Sequence, residues 1–217
     1  LKHGGTILGD IPHLEENLMK DFWNERYAEE GFAYGVEPND FLKDNFLHFP
    51  KDGKILCLSE GEGRNALFLA KNGFEVTAVD ISEVGLKKAM IRAKEENLSL
   101  KTILSDLETF GFGNETWDGI ISIFGHLPPK IRQRVHQNIY PSLKTNGVFL
   151  FEAYTPEQLL FKTGGPKDES MFLTKTIIES ELSELNPVIF RTCVREIQEG
   201  KYHSGLSAVV QFLGKKY

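Results

Sequence analysis

The chain has 217 residues, 41% of them apolar and 26% charged, enough to bury a core and free of repeated or low-complexity segments. Its net charge of -6, with no stripe of Lys and Arg, speaks against a nucleic-acid partner, and its longest apolar runs, 119–124 and 148–151, fall far short of the ~20 residues of a bilayer span. Cys57 and Cys193, the only cysteines, match no metal spacing and read as buried free thiols, so the expectation is a cytoplasmic protein with no membrane partner and no bound metal.

Residues 1–9 are polar and glycine-rich and are assigned no function. From Asp10 to about Glu30 the pattern is helical, with Leu14, Leu18 and Phe22 on one face and Gly31 as its stop. The segment Tyr34-Gly35-Val36-Glu37-Pro38-Asn39-Asp40 then bends the chain before a short helix through Phe46 and Leu47. Residues 1–50 therefore read as a lid-sized helical extension, and residues 51–217 as the main domain.

That domain alternates strands at 55–59, 75–79, 101–105, 118–124 and 147–154 with helices at 64–72, 83–97 and 129–140, which predicts a mainly parallel sheet. Ser82 is placed to cap one helix, Pro128-Pro129 to open another, and Thr155-Pro156-Glu157-Gln158 has the spacing of a capping box. The tail has a different character. Residues 188–198 and 206–213 alternate apolar and polar around Glu199-Gly200-Lys201, the pattern of an antiparallel hairpin.

Chemistry concentrates between residues 55 and 80. An apolar strand runs into Ser59-Glu60-Gly61-Glu62-Gly63-Arg64-Asn65, a helix follows, and a β-branched run ends on Asp80, nineteen positions after Gly61. Glycines after a strand let backbone approach a ligand, and an acid ending the next strand can accept both hydroxyls of a ribose. Such a turn serves nicotinamide dehydrogenases as well. Against them stand the ~60 residues left after the last of these strands, too few for a separate substrate domain, the lack of a third glycine at position 66, and the lack of a Tyr-x-x-x-Lys pair.

Taken with Phe22-Trp23-Asn24-Glu25-Arg26-Tyr27, Tyr34-Gly35-x-x-Pro38-Asn39-x-Phe41-Leu42, Thr163-Gly164-Gly165-Pro166 and Glu199-Gly200-x-x-His203, the chain resembles the class I S-adenosylmethionine-dependent methyltransferases, within them the tellurite-resistance and thiopurine-methyltransferase-like group. The likeness runs from about residue 20 to the end. It implies a Rossmann-like, doubly wound α/β fold whose seven-stranded, mainly parallel sheet has the order 3-2-1-4-5-7-6 and an antiparallel C-terminal hairpin. It implies S-adenosylmethionine as cofactor, S-adenosylhomocysteine as product, and a small-molecule acceptor such as a thiol, a chalcogen oxyanion or another metabolite. Oligomeric state is not read from the sequence.

Carried over by position, Asp80 would hold the ribose with Ile81 beside it, Asp106 would accept from the adenine amino group, and Leu107 and Phe124 would sandwich the ring. Ser59, Glu60, Gly61, Gly63, Arg64 and Asn65 would line the cofactor, and Trp23, Tyr27 and Tyr34 would cap its sulfonium. His126 and His203 are the candidate catalytic bases, and Thr163 to Pro166 a wall of the acceptor site. Two departures stand out: Cys57 replaces the usual acid and Ser59 the usual glycine, leaving Glu60 or Glu62 to take over from the missing carboxylate. Residues 123–128 also lack the Asn/Asp-Pro-Pro-Tyr/Phe sequence of amino-directed nucleic-acid methylases. Two alternatives stay open, an NAD-dependent oxidoreductase and a catalytically inactive adenosyl-cofactor-binding regulatory protein.

Overall fold

The computed structural model describes residues 12–217, with side chains from residue 18 onward; the readings of residues 1–9 and of the Leu14 side chain lie outside the described residues. Helices α1 (Pro12–Ala28) and α2 (Asp40–Asn45) precede the sheet. There follow β1 (Lys54–Leu58), α3 (Arg64–Lys71), β2 (Glu75–Asp80), α4 (Glu83–Glu95), β3 (Lys101–Leu104), β4 (Trp117–Ile123), α5 (Pro129–Ser142), β5 (Leu143–Tyr154), α6 (Lys175–Glu181), β6 (Asn186–Glu199) and β7 (His203–Lys215).

The seven strands form one sheet in the order β3-β2-β1-β4-β5-β7-β6. The first five run parallel, and β7 pairs antiparallel with both β5 and β6. The pleat divides the core. Ile55, Cys57, Ile121, Ile123, Val148 and Leu150 face the α2 and α3 side, while Leu56, Leu58, Ile120, Phe149 and Phe151 face α5 and α6. Both sets are almost fully buried, which is why these strands read as near-continuous apolar runs.

Several local expectations need correction. Leu18 and Phe22 are 66% and 46% exposed, so theirs is not the packed face of α1; Trp23 and Tyr27 turn inward instead. The reason is space, because Gly61 and Gly85 leave room for the Tyr27 ring, whereas Phe22 is covered only by the Arg26 guanidinium, 5.1 Å from its centroid. Residues 156–160 form a 3₁₀ turn that the Thr155 side chain does not cap. β5 begins at Leu143, straight out of α5, whose last turn contains Pro141. Helix α6, capped by Thr174, is too short to show a period in sequence. Ser82 does cap α4, accepting from Gly85 N at 3.1 Å.

Candidate active site

Beyond β1 the chain leaves the sheet in a left-handed path, with φ of 51° at Ser59, 58° at Gly61 and 84° at Gly63. A Cβ on Gly61 would overlap the Tyr27 ring and one on Gly63 would overlap Ala89 of α4, so only glycine lets the loop lie this close to both. Next to it, β4 is followed by Phe124 at φ 52°, and Gly125 lies against the Ser59 side chain. The loops after β1 and β4 diverge where the strand order reverses, the place where open α/β sheets hold ligands.

Acids converge there. Asp80 accepts from Gly61 N through Oδ2 and from Ser82 N through Oδ1, both at 2.8 Å. Glu60 Oε1 accepts from Asn65 N at 2.9 Å and Ala66 N at 2.7 Å. Burial pushes the Glu60 carboxyl up to about 7 and that of Asp80 up to about 6, against the opposing effect of those amides. Neither has a salt-bridge partner among the described residues. Glu62, by contrast, is taken up by Lys88 Nζ at 2.8 Å and Ala33 N at 2.7 Å.

A helix start after a glycine turn offers free amides to a ligand, but at α3 Glu60 occupies two of them. A pyrophosphate brought to this helix end would meet a buried carboxylate in place of donors. An adenosyl cofactor with a cationic sulfur carries no phosphate, its ribose hydroxyls suit Asp80, and its charge suits two buried acids that lack an ion-pair partner among the described residues. The residues present therefore fit S-adenosylmethionine and oppose a dinucleotide.

Residues 29–40 cross this mouth as a strap pinned on both sides. On one side Lys88 Nζ donates to the carbonyls of Glu29 and Gly31, Asn39 N donates to Asn65 Oδ1 at 2.9 Å, and Arg64 donates to Glu37 O. On the other, the β6–β7 turn supplies Lys201 N to Ala33 O at 3.0 Å, while Lys201 Nζ and the Tyr202 hydroxyl both reach Glu29. Arg26 lies 3.7 Å over the Tyr202 ring and donates to the Tyr34 hydroxyl. Arg64 and Asn65, read as cofactor neighbours, are thus engaged with the strap. Trp23, Tyr27 and Tyr34 do come together, with ring centroids 5.5 to 6.3 Å apart.

Further along, His203 is enclosed by Tyr34, Phe124 and Tyr154, with centroids at 4.5, 4.9 and 5.4 Å. Burial holds its imidazole below the usual histidine value, partly offset by Glu199. His126 stacks on Tyr154, accepts from Tyr154 N through Nε2 at 3.4 Å, and is pushed by burial down to about 3. The Tyr154 hydroxyl is buried without a partner. Leu107 and Phe124 belong to apolar clusters on opposite faces of the sheet. Asp106, half-buried after β3, closes its own turn by accepting from Glu108 N at 2.6 Å, and Ile81 is half-buried after β2.

A polar network missed in the sequence lies beneath the strap. Glu152, fully buried in β5, accepts from Arg195 through two nitrogens, from Gln211 at 2.7 Å and from Asn39 at 2.6 Å. Glu199 accepts from the same Asn39 amide at 2.8 Å and from Arg64 at 2.6 Å. The available signal was an acid inside the apolar run Val148 to Tyr154.

Residues 55–147 match a family described as "Methyltransferase domain". The structure of TehB from Haemophilus influenzae superposes with a TM-score of 0.67 at 19% identity, covering 91% of this chain and 67% of that one. This chain's seven-stranded sheet has the fold of that structure, and residues 55–147 resemble a methyltransferase domain. A second structure, the 1,6-didemethyltoxoflavin-N1-methyltransferase of Burkholderia thailandensis with S-adenosylhomocysteine bound, gives a TM-score of 0.68 at 16% identity over 100% of this chain and 93% of the other. At these identities the likeness is one of fold. Among curated proteins, the uncharacterized methyltransferase YbaJ of Bacillus subtilis is 29% identical over 51% of this chain and 44% of its own length. A 23S rRNA (uracil(747)-C(5))-methyltransferase of Pyrococcus abyssi is 32% identical over 43% and 25%. The chain thus spans less than half the length of these two curated relatives.

Proposed function

We propose that this protein transfers the methyl group of S-adenosylmethionine to a small-molecule acceptor. The observation that carries the reading is the pair of buried acids, Glu60 and Asp80, at the glycine turn, which have no ion-pair partner among the described residues, with Glu60 seated where a dinucleotide would need donors. Asp80 would hold the ribose hydroxyls, Ser59 and the Gly61 to Gly63 backbone would line the methionine end, and Trp23, Tyr27 and Tyr34 would close over the sulfur. When bound, the cofactor supplies a methyl group already activated on a sulfonium. What remains for the chain is to orient the acceptor, exclude water and take up its proton.

A small acceptor is favoured over nucleic acid because the net charge is -6 and His203 is enclosed among aromatic rings, with no basic track towards it among the described residues. Among the described residues no helix is long and apolar enough to cross a membrane, and we place the reaction in the cytoplasm. The strap, residues 29–40, would serve as the cap over the cofactor. The test is calorimetric titration with S-adenosylhomocysteine and, separately, NADH, followed by methyl-transfer assays on thiols, chalcogen oxyanions and an rRNA fragment. Binding of the first nucleoside alone and turnover of a small acceptor are expected. Binding of NADH alone, or methylation of the RNA alone, would overturn the reading.

A further inference from the structure

Glu199 and His203 face each other as the register pair that closes the β6–β7 hairpin. Nδ1 of His203 is buried, has no hydrogen-bond partner, and lies 3.7 Å from Glu199 Oε2, a distance at which the two attract without yet being bonded. Catalytic contacts of this kind are often long before ligands bind and tighten in the complex. Glu199 itself is held still, by Arg64 on Oε2 and Asn39 on Oε1. A carboxylate fixed beside one ring nitrogen selects the tautomer that keeps the proton there and leaves the other nitrogen free to accept one.

The charges around this pair restrict what it can act on. Each guanidinium in the network is matched, Arg64 by Glu199 and Arg195 by Glu152. The walls nearest His203 are Tyr34, Phe124, His126 and Tyr154, and burial keeps His126 neutral and holds the phenols of Tyr34 and Tyr154 protonated. Arg26 is the further cation that bears on His203, from α1, and it is drawn towards Tyr202 and Tyr34. Among the described residues, an anionic acceptor would meet here a single cation without a carboxylate partner, Arg26, already stacked on Tyr202 and bonded to Tyr34. An uncharged one would find a buried phenol donor, Tyr154, with no partner of its own.

Building on the methyltransferase reading, we propose that Glu199 is a positioning residue that sets His203 Nε2 as the base for an uncharged, protic acceptor, a thiol before an oxyanion, oriented by the Tyr154 hydroxyl. The acceptor's proton moves to Nε2, the electron pair it leaves stays on the acceptor atom, and the imidazolium so formed is stabilised by Glu199 until the proton passes to water. Because the neutral ring is the active form, activity rises with pH through the His203 pKa. Glu199→Gln removes the charge that favours imidazolium, so this limb moves to lower pH.

The test has two arms on the full chain saturated with S-adenosylhomocysteine or S-adenosylmethionine. First, long-range proton–nitrogen correlation on ¹⁵N-histidine protein, assigned by difference with His203→Gln, is expected to show Nδ1 protonated and Nε2 bare in the wild type, and a mixture in Glu199→Gln. Nε2 protonated in the wild type, or an unchanged tautomer in Glu199→Gln, would overturn the proposal even if that variant were too unstable to assay. Second, His203→Gln should lower kcat by ~100-fold or more for 2-mercaptoethanol, whose thiol must lose its proton, and far less for thiophenol, which is largely ionised at neutral pH. Equal losses on both, or turnover of selenite and neither thiol, would also overturn it. Failure of S-adenosylhomocysteine to bind at all would instead sink the parent reading.

Discussion

Asp80 shows how one side chain can hold the loop together before any ligand arrives. Its two oxygens bind Gly61 N and Ser82 N, joining the glycine turn to the start of α4, and each oxygen keeps a lone pair for a further donor. Charge-assisted bonds to a ribose are worth about 1.5 to 3 kcal/mol, so Asp80→Ala should weaken S-adenosylhomocysteine by roughly 10- to 150-fold in calorimetry. Its carboxyl titrates near 6 because it is buried, and only the ionised form accepts from both hydroxyls. Affinity should therefore fall as pH drops through about 6 and level off above 7; a flat profile from pH 5 to 8 would remove Asp80 from the role. At this scale the sequence was informative where chemistry is local: Asp80, Gly61 and Gly63 meet as their spacing suggested. It did not show that Arg64 and Asn65 reach residues 26 to 135 positions away in the chain, a pairing no local pattern encodes.

Among the elements, the strap and the hairpin depend on each other through a few buried polar groups. Asn39 N–H₂ serves Glu152 and Glu199 together, across 113 and 160 residues of chain. Breaking such a network from one side is costlier than removing it whole, because a buried charge is left unmatched. Arg195→Met strips Glu152, a fully buried acid, of its guanidinium and should cost about 3 to 5 kcal/mol in urea unfolding. A variant that also replaces Glu152 by Gln should recover part of that loss. If Arg195→Met alone proved neutral, the network would be ornamental. Asn39→Ala addresses the strap more directly, leaving both acids without their shared donor, and should destabilise by about 1 to 3 kcal/mol. The parallel sheet and its antiparallel tail were legible in the alternation of strand and helix, whereas the strand order came from the family resemblance. The seating of α1 was not, because which of its faces packs is decided by empty space over Gly61 and Gly85, a property of distant residues.

For the molecule as a whole, buried titratable groups pull stability in opposite directions with pH. His126 and His203 have depressed values in the folded chain, so their contribution is fully present above the unfolded value of about 6.5 and is lost as pH falls below it. Glu60 and Asp80 have raised values, so theirs is present below about 4 and is lost as pH rises through about 6 to 7. Above neutrality the free protein thus bears two buried negative charges, and a cationic ligand relieves them. The rise in melting temperature produced by S-adenosylmethionine should accordingly grow between pH 5.5 and 8, which a thermal-shift series would measure. A rise of constant size would mean that neither acid senses the ligand. The same pair of acids also explains why a glycine turn shared with dinucleotide enzymes need not share their ligand.

The Lys201 and Tyr202 contacts to residues 29–34 have a consequence for biosynthesis. Lys201 in the turn is synthesised 172 residues after Glu29, which it grips, so an emerging polypeptide can assemble its five parallel strands while the mouth still gapes. Only once β6 and β7 zip together does the entrance acquire its second anchor, which ties the closing of the mouth to folding of the hairpin.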